Sequence, residues 1–138
     1  LCAHPLIDTA VLGRALAVVG ARVAALPEPE SYRLLHGDLN PHNILVAGGA
    51  LAGIIDWSYA RYGDPLFDFA RLRMNPFVRG DAAATAAYFA LLRLVPAARE
   101  REETYYRFNL LEYVNWYAQS RDDAKVREHL ALLDRLTG

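Results

Sequence analysis

The chain has 138 residues, 54% hydrophobic and 22% charged, with a formal net charge of -1. That length and composition suit one globular domain with a real core. The near-neutral charge gives no electrostatic reason to expect nucleic acid or an anionic membrane surface as partner. No apolar run reaches the roughly 20 residues of a membrane span, because Arg14 and Arg22 interrupt the most apolar segment, 10–26. A lone cysteine, Cys2, excludes an internal disulfide and fits a reducing cytoplasm.

Asp8 or Thr9 can cap a first helix, whose apolar face Leu12, Leu16, Val19, Val23 and Leu26 follows helical spacing until Pro27 and Pro29 end it. Tyr32 to Leu35 reads as a short strand entering a polar loop. Ile44 to Val46 and Leu51 to Ile55 read as two further strands around the turn signal Ala47-Gly48-Gly49-Ala50. Their apolar character predicts buried strands. Pro65 to Met74 reads as a helix with proline in its first turn. Residues 81–94 follow with Asp81 as cap, then an aromatic-rich helix over 101–120, then a last helix from Asp122 or Asp123 to about Leu136. In the third of these, Tyr105, Phe108, Leu111, Tyr113, Trp116 and Tyr117 recur at helical spacing and are expected in the core. The expected fold class is α+β, mainly helical, with one small β-hairpin beside the polar loop.

The polar residues cluster in LLHGDLNPHNILV (34–46) and IIDWS (54–58). With the turn at 47–50, Asn43 and Asp56 fall just beyond the open end of the hairpin, and the loop His36–Asn43 brings Asp38 to the same edge. Carboxylate and amide oxygens are hard ligands, suited to Mg²⁺ rather than zinc, and Mg²⁺ is usually held by one or two carboxylates plus substrate phosphates. A carboxylate not committed to metal can take a proton from a hydroxyl. The competing reading of each residue is plainer: Asp38 as a loop or cap residue, Asn43 as a turn residue.

The run His36-Gly37-Asp38-Leu39-Asn40-Pro41-His42-Asn43 resembles the H-x-D-x-x-x-x-N loop of kinase-fold enzymes. Gly37, together with Ile55-Asp56-Trp57, resembles the aminoglycoside phosphotransferase family, as does Gly63-Asp64-Pro65-Leu66-Phe67-Asp68-Phe69-Ala70. Ser58, Ala60 and Gly63-Asp64 resemble its hygromycin phosphotransferase branch in particular. The blocks span residues 34–70, about a quarter of the chain. This resemblance implies the C-terminal lobe of a protein-kinase-like fold and an ATP-dependent O-phosphotransferase with Mg²⁺ as cofactor, acting on an aminoglycoside-like acceptor and conferring antibiotic resistance. It implies that Asp38 takes the acceptor's proton and that Asn43 and Asp56 hold Mg²⁺ on the nucleotide. His36, Asp64 and Asp68 would brace the loop, and Glu112, Trp116 and Asp122 would meet the acceptor. The same motifs serve kinases of choline, homoserine or fructosamine, and the sequence does not separate ATP from GTP as donor.

The departures matter equally. The chain has a single lysine, Lys125, near its end, and no glycine-rich nucleotide loop. The expectation is therefore a C-terminal lobe over 1–138 without its N-terminal nucleotide-binding lobe, incomplete and poorly active alone. A non-catalytic lobe remnant is the rival from another class. An isolated lobe would expose an apolar face to a missing lobe or a second copy.

Overall fold

The computed structural model describes residues 4–75, 80–92 and 98–137. Cys2 and the last two residues of the helix expected over 81–94 lie outside them. The described chain forms two compact units, residues 1–27 with 107–138, and residues 28–106.

In the first unit, helix α1 (Thr9–Ala25) starts at Asp8, whose Oδ1 accepts the Ala10 amide at 2.8 Å. Its buried residues are Leu12, Ala15 and Val19, whereas Leu16 and Val23 of the expected face are exposed. The buried stripe is thus narrower than the apolar positions suggest. Helix α5 (Asp123–Thr137) contributes buried Val126, His129 and Leu133 and packs against α1. Between them in sequence, helix α4 (Ala98–Gln119) runs from the second unit into the first and buries Leu110, Leu111, Val114 and Ala118 there. Phe108 and Trp116, expected in the core, are exposed. Arg121 ends this helix in the left-handed conformation (φ 59°), with the Asp122 amide donating to the Tyr117 carbonyl at 3.0 Å.

The second unit holds two small antiparallel sheets and the helices behind them. Strand β2 (Ile44–Ala47) pairs with β3 (Ala50–Ile54) around Gly48 and Gly49. Both glycines have positive φ, 59° and 77°, the signature of a type I′ turn. The sequence reading made these strands buried. Instead Leu45, Val46 and Leu51 are exposed and Ile44 and Ile54 are half-buried, because a two-stranded sheet cannot bury its own faces. Strand β1 (Arg33–Leu35) pairs with β4 (Arg61–Gly63). β4 went unforeseen because three residues carry no period-two signal.

Helix α2 (Leu66–Arg73) buries Leu66, Phe67 and Ala70, and α3 (Ala82–Leu92) starts with the Ala84 amide on Oδ1 of Asp81 at 2.7 Å. Behind them, Arg73 bridges Glu102 and Glu103 at 3.1 and 2.8 Å and lies over the Tyr106 ring. The Tyr88 hydroxyl faces both Glu102 Oε1 (2.6 Å) and the Phe69 carbonyl (3.1 Å). The Tyr88 hydroxyl donates to Glu102 Oε1, and Arg73 reaches both oxygens of the same carboxyl, at 3.4 and 3.1 Å. Burial pushes the Glu102 carboxyl above the ordinary glutamate value, against the hydrogen bond from Tyr88 and the attraction of Arg73.

A carboxyl raised in this way holds its proton more tightly in the folded protein than in the unfolded chain. That stabilisation is complete below the ordinary value of 4.5 and is lost as pH rises through the folded value. Urea unfolding across this window should show stability falling with pH in the wild type relative to Glu102→Gln. An identical pH dependence in the two proteins would refute a raised Glu102 carboxyl.

Candidate active site

The polar loop is built around Gly37. Its φ is +83°, and a Cβ there would lie 2.2 Å from the Tyr59 carbonyl oxygen. Only glycine lets the chain turn this tightly under that carbonyl. The turn turns the His36 and Gly37 amides toward α2, where both carboxylate oxygens of Asp68 take them, at 2.6 and 2.9 Å.

His36 is buried and fully engaged. Its Nε2 donates to the Ile55 carbonyl (2.8 Å), Nδ1 accepts the Asp38 amide (3.3 Å), and its ring lies 4.8 Å from that of Trp57. These partners fix the tautomer with its proton on Nε2. No ring nitrogen is left for chemistry on a substrate.

Asp38 receives Arg71 on Oδ1, from Nε at 3.2 Å and Nη2 at 3.0 Å, and Asn40 Nδ2 on Oδ2 at 3.0 Å. Asn40 also caps the short 3₁₀ turn Pro41–Asn43 by accepting the His42 amide at 2.9 Å. Asn43 is buried, and its Nδ2 donates to the Asp38 carbonyl at 3.0 Å, which leaves the amide oxygen as the acceptor end. The Asn43 carbonyl in turn accepts the Ile55 amide at 2.9 Å, one rung beyond the Ile44–Ile54 pair. The hairpin ladder thus carries Asn43 and Asp56 to the same end.

Asp56 sits there in the left-handed region with φ 60°, a conformation costing roughly 1–3 kcal/mol for a non-glycine residue. Its carboxylate accepts the Ser58 hydroxyl, and the Ser58 bonds, side chain first and then backbone, hold the Asp56 carboxyl below the usual carboxylate range. Asp56 is exposed and its charged form is favoured, and Asn43, at the same end of the hairpin, keeps a hard amide oxygen. This donor chemistry fits Mg²⁺. Among the described residues, no three His, Cys, Asp or Glu side chains come together to hold a metal by themselves.

Asp64 does not reach the loop at 36–43. Its Oδ1 accepts the Leu66 amide at 3.0 Å at the start of α2, and its Oδ2 meets Tyr105 and Arg101 of α4, each at 3.1 Å. Glu112 and Trp116 belong to the first unit, both exposed and four residues apart on α4. Asp122 also lies there and caps α5 through the Lys125 amide at 3.1 Å.

Sequence reasoning missed Arg71. It lies one helical turn after Asp68, and that spacing was the only signal available. It also missed Ser58 as the partner of Asp56.

The profile described as "Phosphotransferase enzyme family" (APH) matches residues 3–105, most of the chain. The chain belongs to the APH phosphotransferase family. Over 44 residues it is 36% identical to the hygromycin-B 4-O-kinase of Escherichia coli, 32% of this chain and 13% of that protein. Its fold is similar to that of aminoglycoside phosphotransferase APH(4)-Ia, solved as a thermostable mutant with ADP and hygromycin B (TM-score 0.76, 22% identity). That likeness covers 96% of this chain and 45% of that one. A choline/ethanolamine kinase family protein from Mesorhizobium loti has a TM-score of 0.69 at 24% identity, over 97% of this chain and 48% of that one. The APH chain described here thus spans less than half the length of the solved structures it matches.

Proposed function

We infer that the chain is the acceptor-side lobe of an ATP-dependent O-phosphotransferase acting on a small-molecule hydroxyl, most simply an aminoglycoside-like one. The observation that carries this reading is the Ile55–Asn43 main-chain bond. It brings an amide oxygen and a charged, left-handed Asp56 to the same end of the hairpin, while the Asn43 amide nitrogen ties them to Asp38. Membership of the APH family supports it.

In this mechanism Asn43 and Asp56 would hold Mg²⁺. When bound, the ion supplies charge neutralisation on the nucleotide phosphates. Asp38 orients the acceptor hydroxyl and takes its proton as the oxygen bonds to the γ-phosphorus and the bond to the departing ADP breaks. His36 and Asp68 hold the loop. The protein's contribution is positioning and electrostatics.

The likeness to the choline/ethanolamine kinase family protein favours a second reading of the acceptor, a metabolite alcohol. The exposed apolar side chains of the two sheets, Leu34, Val46, Leu51 and Tyr62, are the surface we assign to a further lobe or a second copy.

The test is phosphate transfer from Mg-ATP by the gene product including any sequence upstream of Leu1, against hygromycin B, other aminoglycosides, choline, homoserine and sugar amines. Turnover that falls by about 10²–10⁴-fold in Asp38→Ala is expected. A folded product that binds no nucleotide and transfers no phosphate would point to a non-catalytic remnant. A monomeric 138-residue chain binding no apolar dye would remove the surface assignment.

A further inference from the structure

We propose that Arg71 is a positioning residue that presents Oδ2 of Asp38 as the atom taking the acceptor's proton. The proposal deepens the phosphotransferase reading and rests on Asp38 serving as its base.

The argument is one of lone pairs. A carboxylate offers about four acceptor positions. Arg71 places two N–H groups on Oδ1, from Nε and Nη2 at 3.2 and 3.0 Å, and Asn40 places one on Oδ2 at 3.0 Å. Oδ1 is thereby filled, and the open position on this carboxylate belongs to Oδ2. The Asp side-chain torsion is otherwise broad, so a single contact from Asn40 would leave the carboxylate plane free to turn. A planar guanidinium removes that freedom, and a lysine ammonium does so less well.

The two side chains are only 15% and 26% exposed, so solvent screens the pair less than it screens surface ion pairs. Helix α2 also supplies Asp68, three residues earlier, to the His36 and Gly37 amides. One helical turn thus fixes the loop backbone through Asp68 and the reactive carboxylate through Arg71. In the transfer, the hydroxyl proton passes to Oδ2, its oxygen bonds to the γ-phosphorus and ADP leaves. Arg71 exchanges no proton.

The experiment uses the full gene product with Mg-ATP and the same acceptors, and compares Arg71→Met, Arg71→Lys, Asp38→Ala and the Asp38→Ala/Arg71→Met double variant. Arg71→Met is expected to lower kcat about 10–100-fold with the KM for ATP changed by less than about twofold, the size expected of misplacing a reacting group. Arg71→Lys should recover part of kcat, and the double variant should be no slower than Asp38→Ala alone. Wild-type kcat in Arg71→Met beside an inactive Asp38→Ala would overturn the proposal. So would a double variant slowed by the full Arg71 factor, which would mean that Arg71 acts independently of Asp38. Equal losses of kcat and melting temperature in the Met and Lys variants would reduce Arg71 to a structural role. Full turnover in Asp38→Ala, or no acceptor phosphorylated at all, would instead sink the underlying reading. If Arg71→Met fails to fold, Arg71→Lys decides alone: kcat lowered with unchanged KM supports the proposal, and unchanged kcat overturns it.

Discussion

Gly37→Ala is expected to destabilise the unit of residues 28–106 by about 2–5 kcal/mol and to abolish phosphate transfer. A left-handed L-residue costs roughly 1–2 kcal/mol, and forcing an atom into a filled space costs typically 1–3 kcal/mol more. Here the obstacle is the Tyr59 carbonyl, 2.2 Å from where the Cβ would be. It is backbone, so no side-chain rotation relieves the overlap. Either the loop moves away from α2 and the Asp68 bonds lengthen, or the segment 57–60 moves and carries Asp56 with it. Thermal melting and turnover of the variant check this. A melting temperature within a degree or two of wild type would show that the loop tolerates a side chain, and the account of the turn would be wrong. Gly48→Ala is the matching control. Its φ is also positive, at 59°, but nothing lies within 4 Å of a Cβ there, so only the conformational cost applies.

Asp68→Ala should cost about 2–6 kcal/mol. The carboxylate satisfies two main-chain donors beside buried His36 and Gly37, and each buried donor left without a partner costs roughly 1–3 kcal/mol. Asp68→Asn keeps one acceptor oxygen and turns an amide donor toward the other N–H, so it should fall between alanine and wild type. Denaturant unfolding of the three proteins gives that order. If asparagine proved as stable as aspartate, the two short bonds would not be holding the loop. Kinetics add a second check: loss of the clamp should lower kcat in each variant, because the Asp38 main chain follows directly on the two amides.

Much of this was legible in the sequence where residue type and position jointly restrict geometry. The glycine pair at 48–49 announced a tight turn, and the register it sets carried Asn43 and Asp56 to one edge. Asp8, Asp81 and Asp122 were readable as caps because a short acceptor side chain before an apolar stretch has few other uses. What stayed hidden depends on long-range partners. Arg71 is one of several arginines, and nothing local distinguishes the one that meets Asp38 from 33 residues away. Asp64 looked like a brace of the loop, yet its partners Arg101 and Tyr105 come from a helix beginning far downstream. The exposure of β2 and β3 was missed for a related reason. An apolar run shows that a strand favours burial, but not whether anything in the same chain lies over it.

The left-handed backbone at Asp56 has a consequence for how such a chain can change over generations. A codon for aspartate becomes one for asparagine or glycine by a single nucleotide change, and those two residues enter this conformation most readily. Either replacement would remove the negative charge while leaving the turn relaxed. Selection acting on folding alone would be blind to that loss, so a lineage released from the need for the carboxylate could shed it silently and keep a sound scaffold. The present chain still has aspartate at φ 60°, where glycine would sit with less strain.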